Sequence, residues 1–411
     1  VLVYVRNAKE KDSIGTDAGL FYYDIASGEN RHISRGKGIY SNITFDEDGT
    51  QLAFTADKSP EKALVKNFAL YYYVPGQDTA AVLVHKTTSG IPNDWYVSGD
   101  GNVRFSQDGS KLFFGIAPIP PVRDTSLVEF EHAKVDIWHW KDDYLQTQQL
   151  VNLKRDQNRS YLAVIYPGRT RTVIPLADPE LPDVRLTEDA NQEFALGITD
   201  FGRRIQTQWM TGAFQDIYTI STINGQRKKI AGDIRGPISL SPSGNYILWY
   251  NRNDSSWYSH QINSGLTVKL NDDLPVLFAD EDNDVPDEPN AYGIAGWTED
   301  DNEVWIYDKY DIWAFQPDGS GRRLVTNGAG RSGQLTFRYR DLTAQNRNNV
   351  PGRGHPPVID LKKDIILSAF NHGTKENGWY RLDNRRNRDP RPIVMGPYRY
   401  NQVSGDENGS L

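Results

Sequence analysis

The sequence of 411 residues contains no cysteine, which excludes disulfides and thiolate metal sites and leaves the redox compartment open. No run approaches the ~18 apolar residues of a membrane-spanning helix, so this segment is not expected to insert in a membrane. Positive charge is in the minority: 46 Lys and Arg stand against 54 Asp and Glu, a net charge of -8. That balance argues against nucleic acid or an anionic membrane as a partner. Sustained 3.6-residue periodicity is missing too, and no helix-rich domain is expected. The chain opens Val1-Leu2-Val3-Tyr4-Val5 without an initiator Met or a leader. It reads as a piece of a longer chain that begins inside a strand, with its native address left open.

What the sequence has in abundance is aromatic residues, including 22 Tyr and 10 Trp, which suit pleated, half-buried surfaces. They fall in a repeated unit. In Val103-Arg104-Phe105-Ser106-Gln107-Asp108-Gly109-Ser110-Lys111-Leu112-Phe113-Phe114 an apolar strand meets an Asp-Gly turn and a second apolar strand returns. The same plan runs through Ile43–Phe54 around Asp48-Gly49, through Ser239–Trp249 around Ser243-Gly244, and more weakly through Gly197–Ile205 and Gly296–Tyr307. After an excursion, Val135-Asp136-Ile137-Trp138-His139-Trp140 alternates as a further strand, extended by Tyr144–Leu153, and Asp311-Ile312-Trp313 echoes its Asp-Ile-Trp.

Small sheets that cannot cover their own faces indicate an all-β chain, a β-propeller of four-stranded antiparallel blades forming one domain over residues 1–411. Seven modules are visible and an eighth remains open. The first has the strand Val1–Arg6, a polar loop at Lys9–Asp17 and a hairpin at Leu20–Ile33, and lacks one strand. The second spans Ile39–His85 and the third Val103–Leu153, with an insertion from Pro118 to Lys134, the kind of long loop where function concentrates. Tyr161–Tyr166, an Ala195–Trp209 pair and the Ile217–Thr222 hairpin are assigned to the fourth, and Gly236–Leu270 forms the fifth. The sixth follows the acidic run Asp280–Pro289 and includes Tyr310–Phe315, and the seventh holds Ile365–Phe370 and Gly378–Leu382. A last strand, Tyr398–Val403, either completes the first module or begins another blade.

Candidate chemistry is sparse. The Gly-x-Ser-x-Gly elbow of α/β-hydrolases does not occur, and Gly330-Arg331-Ser332-Gly333-Gln334 has the wrong spacing. Of seven histidines, His132 and His139 are near each other, and His139 faces opposite Trp138 and Trp140 on its expected strand, which favours a structural or surface role. Asp280, Asp282 and Asp284 begin a calcium-loop spacing that fails at Val285 and Ala291, leaving a solvated acidic loop as the reading. Trp138, Trp140, Trp249, Trp297, Trp305 and Trp313 are placed on strands as blade-packing residues. The basic run Arg385, Arg386, Arg388 and Arg391 is assigned to a loop. No catalytic or metal-binding residue is assigned, no cofactor is expected, and substrate-touching residues are not identified.

The longer strings Val135–Gln149, Asp282-Asn283-Asp284-Val285-Pro286 with Tyr292–Trp297, and Tyr307-Asp308-Lys309-Tyr310-Asp311-Ile312-Trp313 carry a resemblance. On them, the chain from about residue 40 to 400 resembles the N-terminal β-propeller of prolyl oligopeptidase family serine peptidases, which include dipeptidyl peptidases and acylaminoacyl peptidases. The resemblance implies that catalysis resides on a C-terminal α/β-hydrolase domain of the same native chain. The propeller then caps that domain and admits short peptides as substrate. It also implies an exported or periplasmic address. The Glu-Glu pair with which some dipeptidyl peptidases hold a peptide amino terminus has no counterpart here. The alternative is a non-catalytic exported propeller, similar to TolB, that binds a protein or glycan partner. A propeller glycosidase or lactonase ranks last, since it needs carboxylates or metal ligands converging from several blades.

Overall fold

The computed structural model describes residues 1–7, 17–122, 124–126, 128–132, 135–169, 171–342, 356–383 and 389–400. Strand accounts for 39% of the chain and helix for 8%, so the fold is all-β, with the four-stranded antiparallel blades of a β-propeller.

Among the described residues, seven sheets follow one another along the sequence. The first, among the described residues, is three-stranded, with β1 (Leu2–Arg6), β2 (Gly19–Tyr23) and β3 (Asn30–Arg35). The second has β4 (Ile39–Phe45), β5 (Leu52–Asp57), β6 (Phe68–Tyr73) and β7 (Ala81–Val84). The third contains β8 (Trp95–Val97), β9 (Arg104–Phe105), β10 (Leu112–Pro118), β11 (Tyr161–Ile165) and β12 (Ile174–Pro175). The fourth is β13 (Asp183–Arg185), β14 (Phe194–Thr199), β15 (Gln215–Ser221) and β16 (Arg227–Ile234). The fifth is β17 (Ile238–Leu240), β18 (Tyr246–Asn251), β19 (Ser256–Gln261) and β20 (Thr267–Lys269). The sixth begins with β21 (Ile294–Thr298), β22 (Val304–Tyr307), β23 (Ile312–Phe315) and β24 (Arg322–Leu324). Then β25 (Leu335–Tyr339) opens the seventh, and β26 (Val358–Ile359) returns to the sixth by pairing parallel with β21. Finally β27 (Ile365–Asn371), β28 (Asn377–Leu382) and β29 (Arg391–Gly396) complete the seventh. The turns that join first and second strands keep glycine at positive φ, 68° at Gly49, 68° at Gly109 and 72° at Gly244, a conformation that a Cβ disfavours.

The chain divides into two units, Val1–Val184 with Asp189–Ile205 and Ile220–Lys228, and Arg185–Glu188 with Gln206–Thr219 and Lys229–Leu411. Within the first unit, Leu20, Tyr22 and Ile33 of the first sheet pack with Leu52, Phe54 and Tyr73 of the second. Ala53, Leu70 and Val84 then pack with Leu112, Phe114 and Ile165 of the third. Within the second unit, Leu248, Tyr250 and Trp257 of the fifth sheet join Trp297, Val304 and Phe315 of the sixth. Trp305, Ile312 and Ala314 join Phe337, Leu367 and Leu382 of the seventh. Each core therefore lies between sheets that are consecutive in sequence.

Three expectations are corrected. Val135–Trp140 is not a strand, because the edges of β10 are taken by β11 on one side and by β8 and β9 on the other. The segment belongs to an insertion between β10 and β11. Tyr144–Leu153 does not extend that strand; Gln146–Gln157 forms the helix α1, rich in Gln, Leu, Lys and Arg, which favour helix, with Lys154 and Arg155 in its last turn, where the dipole favours cations. Tyr161–Ile165 belongs to the third sheet, and the expected partner of Ala195 is a 3₁₀ turn at Arg204–Gln208. Asp143 holds that turn by accepting from Gly202 N at 2.9 Å and Arg204 N at 2.8 Å. The loop expected at Lys9–Asp17 lies outside the described residues except for Asp17. Of the last strand, Tyr398–Tyr400 is irregular, and residues 401–403 lie outside the described residues.

Two carboxylates, Asp301 buried and Asp287 half-buried, fix the second unit. Asp301, between β21 and β22, accepts from Ser241 Oγ at 2.7 Å, Ser243 N at 3.0 Å and Asn245 N at 3.3 Å, tying the β17–β18 turn to the sixth sheet. Asp287, in the connection from β20 to β21, faces two arginines exposed by 4% and 7%. Its Oδ1 lies 2.6 Å from Arg235 Nη2, and its Oδ2 lies 3.4 Å from Arg252 Nη1. Arg235 also lies over the Phe214 ring, and Arg252 Nη2 donates to Asn290. Burial opposes ionisation of Asp287, but hydrogen bonds from Glu288 N, Thr211 and Arg235 outweigh it and hold the carboxyl below its usual range.

Replacing Asp301 by Ala leaves two backbone N–H groups and a buried hydroxyl unpaired, a loss of about 3 kcal/mol. Urea unfolding of D301A is expected to show it, with D301N losing less. The depressed pKa of Asp287 gives stability that is complete above the unfolded value of ~3.9 and is lost as pH falls through the folded one. The gap in thermal midpoint between wild type and D287N is therefore expected to stay constant from about pH 5 to 8 and close below about pH 4. Melts followed by circular dichroism check this, and an equal gap on both sides of pH 4 would contradict it.

Candidate functional site

Two of the resemblance-bearing strings, Asp282–Pro286 with Tyr292–Trp297 and Tyr307–Trp313, meet at one end of the sixth and seventh sheets, inside the second unit. The meeting point is built on the turn from β22 to β23. Asp308 accepts from Tyr310 N at 2.7 Å, Asp311 N at 2.6 Å and Trp313 Nε1 at 3.1 Å, which closes the turn on a side chain. Asp311 accepts from Thr326 Oγ1 at 2.6 Å, Gly330 N at 2.9 Å and Arg331 N at 2.9 Å, which fastens the turn to the short helix α2 (Ala329–Gly333). A Cβ on Gly330 would sit 2.7 Å from Asp311 Oδ1 and from Tyr310 O; glycine is what lets the carboxylate approach. Burial raises the Asp311 pKa against those three hydrogen bonds.

So held, the turn presents Lys309 and Tyr310. Lys309 Nζ pairs with Asp282 Oδ1 at 2.7 Å, and Arg331 lies 3.4 Å from Asp308 and 4.0 Å from Glu281. Hydrogen bonding to Lys309 holds Asp282 below the usual carboxylate range and raises Lys309 in turn. His372 meets Tyr310 edge-on and lies 2.7 Å from Thr336 Oγ1, which also donates to Lys309 O at 3.0 Å. Burial, with Lys309 and Lys375 nearby, keeps the imidazole below its ordinary pKa.

Behind this front row lie two phenols and a guanidinium. Tyr292 accepts from Glu281 N at 2.8 Å, and Tyr307 accepts from Tyr339 N at 3.0 Å. Burial pushes both phenols up to about 12, so they are neutral donors at physiological pH. Arg338, on β25, lies 4.5 Å from the Tyr307 ring centroid and 5.6 Å from that of Tyr292. Its Nη1 donates to Phe337 O at 2.7 Å and its Nη2 to Lys309 O at 3.4 Å.

The sequence-stated candidates fare differently. Ser332 donates to Gly328 O at 3.0 Å and Ala329 O at 3.3 Å, within its own helical turn, and is not poised as a nucleophile. Asp280, Asp282 and Asp284 lie on an exposed loop, as expected, with Asp282 in the ion pair above. Among the described residues no group of three His, Cys, Asp or Glu could hold a metal ion. Trp249, Trp297 and Trp305 are buried as blade packing, and Trp313 packs edge-on against Phe278. Trp138 and Trp140 correct the expectation, being exposed on the insertion, and His139 stacks with Trp140 off any strand. His132 directly follows a 3₁₀ turn. Arg385, Arg386 and Arg388 lie outside the described residues, and Arg391 starts β29. Arg338, Tyr292 and Tyr307 had no sequence signal as a group, although the two tyrosines belong to the resemblance strings.

No protein-family model matches the chain, and no curated protein does. Among solved structures, the chain is similar to the β-propeller domain of the Trilobed protease from Pyrococcus furiosus, at 9% identity and a TM-score of 0.33, over 98% of this chain and 95% of that one. It is similar to dipeptidyl peptidase 4 of Porphyromonas gingivalis at 10% identity and a TM-score of 0.39, over 95% of this chain and 53% of that one. It is also similar to TolB from Acinetobacter baumannii at 14% identity and a TM-score of 0.26, over 78% of this chain and 62% of that one. The chain thus spans less than two thirds of the TolB and dipeptidyl peptidase chains. Likeness at this level assigns no activity.

Proposed function

We propose that this chain is a single propeller domain of a longer serine peptidase, a gate and cradle for short peptides whose hydrolysis is performed by an α/β-hydrolase domain elsewhere in the native chain. The observation that supports this reading is the convergence of the strings Asp282–Pro286 with Tyr292–Trp297 and Tyr307–Trp313, which resemble the prolyl oligopeptidase family, on one surface of Lys309, Tyr310, Arg331 and Arg338. Such a surface offers hydrogen-bond donors and aromatic faces, which suit a peptide's carbonyls and side chains. The hydroxyl of Ser332 is tied to backbone carbonyls, so the role assigned to this chain is to bind and admit.

A second reading, a propeller that binds a protein partner, is favoured by the insertion between β10 and β11. There Phe130 and Trp140 are each 85% exposed, with Val135, Ile137 and Trp138 exposed beside them, a patch of the kind that marks interaction sites.

Labelling with a fluorophosphonate separates the two. The pure 411-residue chain is expected to remain unlabelled and to cleave no peptide, while the native gene product is expected to be labelled and to have a mass well above that of this chain. Inhibitor-sensitive cleavage by the 411 residues alone would sink the gate reading. An unlabelled native product of this size would leave the binding propeller.

A further inference from the structure

Arg338 is an anomaly of charge. Several arginines of the second unit have acidic partners: Arg235 and Arg252 share Asp287, Arg331 has Asp308 and Glu281, and Arg323, at the other end of the sixth sheet, is forked on Glu303. Among the described residues no carboxylate lies within ion-pair distance of Arg338. Its guanidinium is nevertheless partly buried between the rings of Tyr292 and Tyr307, and that burial pulls its pKa below the ordinary arginine value. The nearest acid, Asp308, is occupied by Tyr310 N, Asp311 N, Trp313 Nε1 and Arg331. Removing a cation from water without a counter-charge is unfavourable, and the surroundings offer Arg338 two carbonyl oxygens and two aromatic faces but, among the described residues, no carboxylate.

The hydrogen bonds point the same way. A guanidinium carries five N–H donors, and Arg338 uses two, to Phe337 O and Lys309 O. Tyr292 and Tyr307 each already accept a backbone N–H, and no acceptor among the described residues takes either phenolic proton. The group has hydrogens left to donate and no anion to receive them. Its neighbours Lys309 and Arg340 add positive charge, and Lys309 is already paired with Asp282.

We propose that Arg338, with the phenols of Tyr292 and Tyr307, is a recognition site for a carboxylate of a bound peptide. A planar carboxylate accepts two parallel N–H bonds from a guanidinium fork, and a neutral phenol donates a third. The inference rests on the peptide-cradle reading and names the group that the cradle holds. The carboxylate belongs either to the peptide's C-terminus or to an acidic side chain.

The test is calorimetric titration of the 411-residue chain with three probes: N-acetyl-tetraalanine as the free acid, the same peptide as its carboxamide, and N-acetyl-Ala-Asp-Ala-Ala carboxamide. At least one carboxylate-bearing peptide is expected to bind about tenfold or more tighter than the uncharged carboxamide. Preference for the free acid assigns the C-terminus, and preference for the Asp peptide assigns a side chain. R338Q is expected to remove the preference and R338K to retain part of it, both with wild-type thermal midpoints. Equal binding of all three peptides overturns the carboxylate inference and leaves the cradle intact. Absence of binding by any of the three overturns both, and a preference unchanged in R338Q overturns the assignment to this site.

Discussion

A sheet of four short strands exposes two apolar faces and can bury neither alone. In β5 every one of the six residues is buried, which requires cover on both sides of the strand. The cores show how each unit meets that demand: first sheet against second, second against third, fifth against sixth, sixth against seventh. Neighbours in sequence become neighbours in space. The turns within a sheet must then be tight, and the longer connections gather at sheet ends, where side-chain chemistry is free of packing constraints.

What those connections do is settled by charge. The run from Asp280 to Asp287 is acidic, and it is held where Arg235, Arg252, Lys309 and Arg331 reach it. Asp287 keeps two buried cations neutralised, and Asp308 and Asp311 lock the turn that displays Lys309 and Tyr310. Among the described residues, this end of the second unit thus sets paired charges beside Arg338, which has no acidic partner. The contrast gives Arg338 its significance, because the same surroundings that satisfy its neighbours leave its donors for something outside the chain.

The fold was readable where local chemistry and packing agree. Asp48-Gly49, Asp108-Gly109 and Ser243-Gly244 demanded turns, and the alternating residues on each side of them became β4–β5, β9–β10 and β17–β18. It was not readable in the insertion. Val135–Trp140 alternates as a strand would, yet alternation says nothing of whether a partner edge is free, and β10 had none to offer. The two Asp-Ile-Trp tripeptides show the same limit: Asp311 finds Thr326, Gly330 and Arg331 around it, whereas among the described residues Asp136 accepts from Gln146 Nε2 alone, at 2.9 Å. Helix α1 escaped notice because Leu150, Val151 and Leu153 are exposed and form no apolar stripe to be seen. The candidate site was not legible: no substrate-touching residue is identified from the sequence, and Tyr292, Tyr307 and Lys309 lie in strings that carry a resemblance without a chemical signal. Arg338 comes from a strand with no such mark, and only the fold brings it to them.

The most direct test of the account is a crystal structure of this chain with a short peptide bearing a free carboxylate. The account places the peptide at the end of the sixth and seventh sheets, with its carboxylate within hydrogen-bond distance of Arg338 and the phenols of Tyr292 and Tyr307. A peptide seated elsewhere, or an Arg338 that turns to an acid of its own chain while the peptide is bound, would contradict it.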